Sequence, residues 1–290
     1  MEEKLKSLCT EIRCDVVRSI GHLGTGHVGG CLSVVELLAV LYFSEMHIDP
    51  ANPKLPGRDR LICSKGHAGP AVYATLARRG YFDRSLLMTL NQGGTNLPSH
   101  CDMNRTPGID MTTGSLGQGF SCAVGAALGS KLEDDGATIF TLIGDGESQE
   151  GQIWEAAMFA GAKHLDNLIG FTDSNKLQID GPVEAVNSIA PLAQKWRAFG
   201  WHAIEVENGN DVMQVRAAVR LAKKNRGSGK PTMVILNTKK GCGVSFVEDL
   251  GPGNHNMPFS QADAKRALTQ LLGREATDED LEIGGESEWK

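Results

Sequence analysis

The stretch that decides the fold spans residues 137–181 and reads ATIFTLIGDGESQEGQIWEAAMFAGAKHLDNLIGFTDSNKLQIDG. It begins with an apolar run, residues 137–143, which leads into Gly144-Asp145-Gly146. A second apolar run, residues 168–172, is followed by Asn175. Between the runs, apolar residues recur at helical spacing over residues 150–164. This order predicts two parallel strands joined by a right-handed crossover helix.

Polar residues follow both predicted strands. The carboxyl ends of parallel strands lie at the same edge of a sheet, where ligands of open α/β sheets bind, so we expect Asp145 and Asn175 to meet there. A carboxylate oxygen, an amide oxygen and a nearby carbonyl are ligands suited to Mg²⁺ or Ca²⁺ and not to zinc. We also expect Gly146 to open the helix, where free N–H groups favour a diphosphate. Taken alone, Gly-Asp-Gly is more often only a turn.

The rest of the chain predicts an α/β fold with a mainly parallel sheet sandwiched between helices. The predicted strands are residues 60–63, 137–143, 168–172, 202–207 and 232–237. Helices are predicted over Leu5–Ile20, over Val34–Phe43 with Ser33 as its cap, and as a buried helix over Met111–Ser130. Long loops at the active edge are predicted over residues 91–110 and 239–256. We expect one domain, residues 1–275, followed by a loose acidic tail, residues 276–290.

Composition excludes several classes of function. The 290 residues carry a net charge of −6 with a pI near 5.8, which argues against nucleic-acid or anionic-membrane binding. The seven cysteines include no C-x-x-C pair, which favours reduced thiols and a cytoplasmic protein over a disulfide framework.

Four histidines lie in loops that contain Gly or Pro: His27, His67, His100 and His255. None of them stands at zinc-ligand spacing. Neutral imidazoles donate one hydrogen bond and accept another, which suits proton transfer around sugar hydroxyls. We therefore predict a catalytic role for these four side chains and a structural role for His22, His47, His164 and His202.

Several motifs occur in one order along the chain. They are Gly26-His27-Val28-Gly29-Gly30, Ser64-Lys65-Gly66-His67, His100 after Pro98-Ser99, Thr113-Gly114-Ser115-Leu116-Gly117-Gln118-Gly119, and the Gly-Asp-Gly with Asn175 after 28 further residues, 147–174. Together they resemble the thiamine diphosphate enzymes and, more narrowly, the cofactor-binding half of a transketolase.

The resemblance implies residue roles. Asp145, Asn175 and the Leu177 carbonyl would hold Mg²⁺ or Ca²⁺. The thiamine diphosphate would contact His67, Gly146 and His255 through its diphosphate and Gly114 and Leu116 near its ring. His27 and His100 would bind substrate hydroxyls. Val28 and Ser115 replace prolines of the family, and Asn254-His255-Asn256-Met257 replaces its Trp-His-Gly, which leaves the role of His255 open. Glu147 and Glu155 fit either the surrounding network or a solvated surface.

In the family, a glutamate from a second, pyrimidine-binding domain activates the cofactor, and the sequence ends before such a domain. The resemblance therefore implies one subunit of a split transketolase, which transfers a two-carbon ketol unit from a ketose phosphate to an aldose phosphate in the pentose phosphate segment of carbohydrate metabolism. It also implies a separately encoded C-terminal (pyrimidine-binding) partner and a heterotetramer with two copies of each subunit.

Four alternatives stay open at this point. The chain could act on an unusual sugar, or bind thiamine diphosphate without turnover in a regulatory role. A magnesium-dependent phosphohydrolase with Asp145 as nucleophile would need further carboxylates at the metal, and Asn175 supplies none. Dinucleotide binding is disfavoured because no G-x-G-x-x-G follows a strand and opens a helix.

Overall fold

The computed structural model of the protein describes residues 1–284. In chain order the strands are β1 (Gly24–Gly26), β2 (Arg60–Cys63), β3 (Ile139–Gly144), β4 (Leu168–Ser174), β5 (Leu177–Gln178), β6 (Gly181–Pro182), β7 (His202–Val206), β8 (Thr232–Asn237) and β9 (Met257–Phe259). The helices are α1 (Glu2–Leu23), α2 (Val28–Leu32), α3 (Val35–Val40), α4 (Gly69–Arg79), α5 (Gln118–Glu133), α6 (Gly151–Ala162), α7 (Val183–Asn187), α8 (Leu192–Ala198), α9 (Val212–Lys224), α10 (Ser245–Glu248) and α11 (Gln261–Leu272).

Five strands form a parallel sheet in the order β2-β3-β4-β8-β7, which confirms the predicted fold class. Two short antiparallel pairs, β1 with β9 and β5 with β6, lie outside this sheet. Every residue of β3 and β4 is buried, as expected for strands covered on both faces. Because parallel strands end at the same edge, the loops after β2, β3, β4 and β8 converge there.

The two faces of the sheet contact separate apolar cores. Phe140 and Phe171 pack with α1, α4, α9 and α11 on one face. Ile139 and Ile143 lie on the opposite side of β3 from Phe140 and pack with Trp196 on the other face of the sheet. Within residues 1–284, none of the helices combines the length and apolar character needed to cross a bilayer.

The predicted buried helix over residues 111–130 is wrong at its start. The helix α5 begins at Gln118, because Gly114 and Gly117 adopt positive φ values of 153° and 84° that a right-handed helix cannot contain. One face of α5 is also exposed, including Cys122, Gly125 and Leu132.

Two predictions about helix starts are also wrong. Ser33 does not cap a helix; its hydroxyl donates to the buried Asp173 carboxylate at 2.8 Å instead. Gly146 opens a single 3₁₀ turn, Gly146–Gln149, and α6 starts only at Gly151. The Gly146 N–H donates to Asp145 Oδ1 at 2.8 Å, so this group is directed at the carboxylate and not along a helix axis.

The first part of the predicted tail, residues 277–283, packs against the rest of the protein and is not loose. Ala276 and Ile283 are buried in the same core as α1, and Arg18 donates to the Asp280 carbonyl at 2.6 Å. Residues 285–290 lie outside the described residues. The division into a domain of residues 1–275 and a tail of residues 276–290 stays a prediction.

Candidate functional site

The three predicted metal ligands line one cavity at the carboxyl edge of the sheet. Asp145 follows β3, Asn175 follows β4, and Leu177 begins β5 two residues later. The backbone N–H of Asp145 donates to the Asp173 carbonyl at 3.1 Å, which joins the two strand ends. All three residues line a cavity of about 180 Å³. One cavity therefore contains residues with a carboxylate, an amide and a backbone carbonyl, the oxygen groups that a hard divalent cation takes.

Both oxygens of Asp145 are already oriented by backbone groups. Oδ1 accepts from Gly146 N–H at 2.8 Å, and Oδ2 accepts from Lys176 N–H at 2.6 Å. Burial, followed by the negative charge of Asp173, raises the pKa of Asp145 to about 6. A divalent cation in this position would offset both effects and favour the ionised carboxylate.

Two lysines and two histidines line the same cavity as these predicted ligands: Lys65, His67, Lys240 and His255. Lys65 forms a buried ion pair with Asp173, whereas Lys240 forms no ion pair within residues 1–284 and contacts His255 Nδ1 at 3.2 Å. Burial, then the charge of Lys65, lowers the pKa of Lys240 to about 8. Lysine and histidine donors that share a cavity with oxygen groups are suited to bind a diphosphate that is bridged to a metal ion.

Lys65 and Lys240 are not among the site residues that the sequence predicts. Each has a positional signal: Lys65 lies two residues before His67 after β2, and Lys240 follows the carboxyl end of β8. Short basic pairs are usually solvated, so the sequence predicts that Lys239 and Lys240 are both exposed. Only Lys239 is exposed; Lys240 is 3% exposed.

The four predicted loop histidines lie together. The ring centroid of His27 is 5.4 Å from that of His67, 5.7 Å from that of His100 and 5.4 Å from that of His255. The rings of His67 and His255 are 4.9 Å apart. The His255 side chain, whose role the sequence left open, therefore belongs to the cluster in space.

These imidazoles are neutral near pH 7. Burial, followed by the neighbouring His100 and then Lys65 and Lys240, lowers the pKa of His27 to about 4. Burial, followed by the charge of Lys240, lowers the pKa of His255 to about 3. Burial also lowers the pKa of His67 well below its ordinary value and lowers that of His100. A neutral ring can donate through one nitrogen and accept through the other, which is the capacity needed to handle hydroxyl protons.

Glycines allow the loops of the cleft to approach one another. A Cβ on Gly66 would lie 2.8 Å from the backbone nitrogen of Gly114, and a Cβ on Gly30 would lie 3.3 Å from Lys65 Nζ. A Cβ on Gly114 would lie 3.4 Å from His100 Cδ2, while Leu116 and Gly146 line the cavity. The predicted cofactor residues other than Gly114 therefore line one cavity.

Glu147 and Glu155, whose roles the sequence does not decide, lie in different environments. Glu147 is buried and accepts from Ser64 Oγ, from Gly117 N–H at 2.8 Å and from Gly144 N–H at 3.0 Å. It joins the loops after β2 and β3 to the start of α5. Burial raises its pKa. Glu155 is exposed on α6 and takes no part in this network.

Comparison with known proteins places residues 5–283 in the family described as transketolase, thiamine diphosphate binding domain. The 6-deoxy-6-sulfo-D-fructose transketolase subunit SqwG of Clostridium sp. is 57% identical over 260 residues, which cover 90% of this chain and 93% of that relative. An apulose-4-phosphate transketolase subunit of Actinobacillus succinogenes is 40% identical over 271 residues, 93% of this chain and 95% of the relative.

Longer transketolases contain the same fold. A crystal structure of a transketolase variant from Pichia stipitis superposes with a TM-score of 0.87 at 30% identity and covers 97% of this chain but 42% of its own. The human transketolase is 36% identical over 273 residues, which are 94% of this chain and 42% of the human protein. The chain thus spans less than half of these longer proteins and nearly the whole of the two subunits named above.

Proposed function

Since the chain belongs to the transketolase family, as a subunit of a two-subunit enzyme, we propose that its cavity holds the diphosphate of thiamine diphosphate together with Mg²⁺ or Ca²⁺. The observation that carries the proposal is the lining of one cavity, which combines Asp145, Asn175 and Leu177 with Lys65, Lys240, His67 and His255. Oxygen ligands would hold the cation, and the cationic and imidazole groups would hold the diphosphate.

The bound cofactor would supply the nucleophilic carbon for cleaving a ketose between C2 and C3. Leu116 and Gly114 would contact its ring region. His27 and His100, neutral because their pKa values are lowered, would bind substrate hydroxyls and move protons at their oxygens. His67 and His255 lie within the same cluster and would contact both the diphosphate and the reacting centre.

A separately encoded pyrimidine-binding subunit would complete the site and supply the activating glutamate. We propose a heterotetramer with two copies of each subunit. An exposed apolar face on α5 and α6 supports contact between copies: Leu132 is 77% exposed, Met158 56% and Phe159 41%. Such a patch of large apolar side chains favours association over solvation.

The donor substrate is proposed to be a ketose that carries a sulfonate, 6-deoxy-6-sulfo-D-fructose. This proposal is based on the 57% identity to the subunit of that name. A cavity of about 110 Å³ beside His27 has Thr25, Asn91, Ser99 and Asn256 as its polar lining and no Lys or Arg from the described part of the chain. The anionic end of the sugar would therefore be bound by the partner subunit. Apulose 4-phosphate is the second candidate, from the 40% identical relative.

The test is reconstitution. The chain and its pyrimidine-binding partner are purified separately and mixed with thiamine diphosphate, Mg²⁺ and an aldose phosphate acceptor. Ketol transfer is then followed from 6-deoxy-6-sulfo-D-fructose, apulose 4-phosphate and xylulose 5-phosphate. We expect turnover only with both subunits, and kcat/KM at least about tenfold higher for the sulfonated donor, a difference of about 1.4 kcal/mol in transition-state binding.

The same mixture with Asp145→Ala is the matched negative control, since it removes one ligand from the proposed cation site. A higher kcat/KM for xylulose 5-phosphate would refute the donor assignment. Turnover by this chain alone would refute the need for a partner. Cofactor binding without turnover in the presence of the partner would favour the regulatory alternative.

A further inference from the structure

One carboxylate at the carboxyl edge of the sheet has no access to solvent and yet contacts four different loops. Asp173 is the sixth residue of β4, and its side chain is 0% exposed. Its Oδ2 accepts from Lys65 Nζ, from Ser33 Oγ at 2.8 Å and from Asn175 Nδ2 at 2.8 Å. Its Oδ1 accepts from Thr238 Oγ1. A buried carboxylate with this many donors is held in one position.

The contact with Asn175 decides which end of the amide faces the cation site. Asn175 donates through Nδ2 to Asp173 and accepts through Oδ1 from Leu177 N–H at 3.0 Å. If the amide rotated by a half turn, its oxygen would face the carboxylate and its NH₂ would face the Leu177 N–H. Both new contacts would be repulsive, because an ionised carboxylate only accepts and an N–H only donates. The oxygen is therefore kept on the side of Leu177, which lines the cavity.

The same carboxylate orders the cationic side of the cleft. Lys65 Nζ, besides its ion pair with Asp173, donates to the Gly30 carbonyl at 2.8 Å. This contact joins the segment after His27 to the turn that carries His67. The Asp173 side chain thus fixes both the orientation of the Asn175 amide and the relative position of the loops that carry His27 and His67.

We propose that Asp173 is a positioning residue of the cation and diphosphate site, which directs the Asn175 oxygen at the divalent cation through its contact with Asn175 Nδ2. The inference rests on the proposed binding of thiamine diphosphate with a divalent cation. Asp173 itself would not contact the cation, because its oxygens are already shared among Lys65, Ser33, Asn175 and Thr238.

The experiment compares Asp173→Asn with Thr238→Val in the assembled two-subunit protein. Asp173→Asn keeps the size of the side chain but offers an NH₂ group that tolerates a rotated Asn175. Thr238→Val removes a hydrogen bond to Oδ1 and leaves the three contacts to Oδ2 unchanged. Thiamine diphosphate binding is measured by calorimetry at a series of Mg²⁺ concentrations, with circular dichroism to establish the folded fraction.

We expect Asp173→Asn to raise the Mg²⁺ concentration for half-maximal cofactor binding by about 10- to 100-fold, as for partners that orient metal ligands. Saturating Mg²⁺ should restore binding. Thr238→Val should stay within about twofold of the wild type. A merely structural role of Asp173 would lower the melting temperature without moving the Mg²⁺ midpoint of the folded protein.

A double variant, Asp173→Asn with Lys65→Met, guards against a folding failure, since it removes the buried charge and its partner together. Because Lys65 is itself proposed to hold the diphosphate, the double variant should have a Mg²⁺ midpoint at least as high as that of Asp173→Asn. An unchanged midpoint in folded Asp173→Asn, an equal shift in Thr238→Val, or failure of both Asp173 variants to fold would overturn the inference. If the wild-type protein bound no cofactor in a Mg²⁺-dependent way, the proposed function would fail with it.

Discussion

Two regions deliver groups to the same cavity and are held in place differently. The crossover segment, residues 144–178, runs from the end of β3 through α6 and β4 to β5. It carries Asp145 after β3 and Asn175 and Leu177 after β4, and these two strands are adjacent and parallel. The lysine loop, residues 239–256, carries Lys240 and His255 and contains only a short helix and a 3₁₀ turn. Ladder hydrogen bonds between β3 and β4 place the first region. Contacts with distant side chains place the second.

The lysine loop is tied to the rest of the molecule by polar contacts. Arg13 of α1 donates to the Cys242 carbonyl at 2.9 Å and pairs with the buried Glu36 at 2.8 Å. Within the loop itself, the fully buried side chain of Asn254 donates to the Val247 carbonyl at 2.8 Å. The Gly241 N–H donates to the Gly29 carbonyl at 3.0 Å. The comparison teaches that the positions of the predicted metal ligands follow from the topology of the sheet alone. The position of the Lys240 ammonium group depends instead on side chains far away in the sequence.

The largest effect is expected where the lysine loop depends on a buried charge. Arg13→Leu would leave Glu36 buried without its cation and release the Cys242 carbonyl. The free energy of unfolding should fall by about 3–5 kcal/mol, measured by urea denaturation.

Two variants sharpen this prediction. Arg197→Leu breaks an exposed ion pair with Glu205 at 3.6 Å and should cost less than about 1 kcal/mol. Arg13→Leu combined with Glu36→Met should recover much of the loss, because no unpaired charge stays buried. Equal losses for Arg13→Leu and Arg197→Leu would show that the buried pair does not hold the lysine loop.

A smaller effect, on the affinity for thiamine diphosphate, is expected from removing the charge of Lys240 in the lysine loop. Lys240→Met keeps the length of the side chain but removes the charge, so thiamine diphosphate should bind roughly tenfold more weakly, about 1.4 kcal/mol. The loss should be greater at low salt, where the attraction is less screened. Calorimetric titration of the assembled protein checks both statements.

Lys239→Met is the matched control, because the neighbouring side chain is exposed and pairs with Glu248 at the surface. It should leave the cofactor affinity unchanged. If the two lysine variants bound the cofactor equally well, the lysine loop would have no part in diphosphate binding, and only the crossover segment would remain as a binding region.

The smallest effect concerns the histidine cluster between the two regions. The pKa of His27 in the folded protein is about 4, below the ordinary 6.5, because the ring is buried and lies near His100, Lys65 and Lys240. The unfolded chain takes up a proton below pH 6.5 and the folded protein only below about pH 4. Stability from this group is therefore present above pH 6.5 and is lost as the pH falls from 6.5 to 4.

His27→Gln should remove this contribution. Between pH 7.5 and pH 5 the wild type, without cofactor, should lose about 1 kcal/mol more unfolding free energy than the variant, after allowance for partial exposure of the ring. His164→Gln, outside the cleft, controls for the substitution itself. Parallel stability curves for the wild type and His27→Gln would contradict a buried, neutral His27.

The crossover segment was predictable because its information is local. Two apolar runs separated by a helical pattern determine parallel strands, and the residues after them, Asp145 and Asn175, meet at one edge by topology. The clustering of His27, His67 and His100 was likewise expected from motifs in family order, and the structure brings their rings within 6 Å of His27. The roles of these residues in binding and catalysis remain predictions.

The rest could not be predicted because its partners are distant in sequence. Asp173 lies in the tract between the apolar run and Asn175, but its partners Ser33, Lys65 and Thr238 are 140, 108 and 65 residues away. No local pattern indicates that these groups meet. Ser33 is an example: its position before an apolar run is typical of a helix cap, yet its hydroxyl donates a hydrogen bond to a buried carboxylate instead.

The most direct test is crystallography of the two-subunit protein with thiamine diphosphate and Mn²⁺ in place of Mg²⁺, because the anomalous signal of Mn²⁺ locates the cation independently of the protein atoms. We expect a single peak about 2.1 Å from an Asp145 carboxylate oxygen, Asn175 Oδ1 and the Leu177 carbonyl oxygen, with the diphosphate between the peak and Lys240. A cation bound elsewhere, or a diphosphate that contacts neither the Asp145-bound metal nor Lys240, would contradict the proposed site.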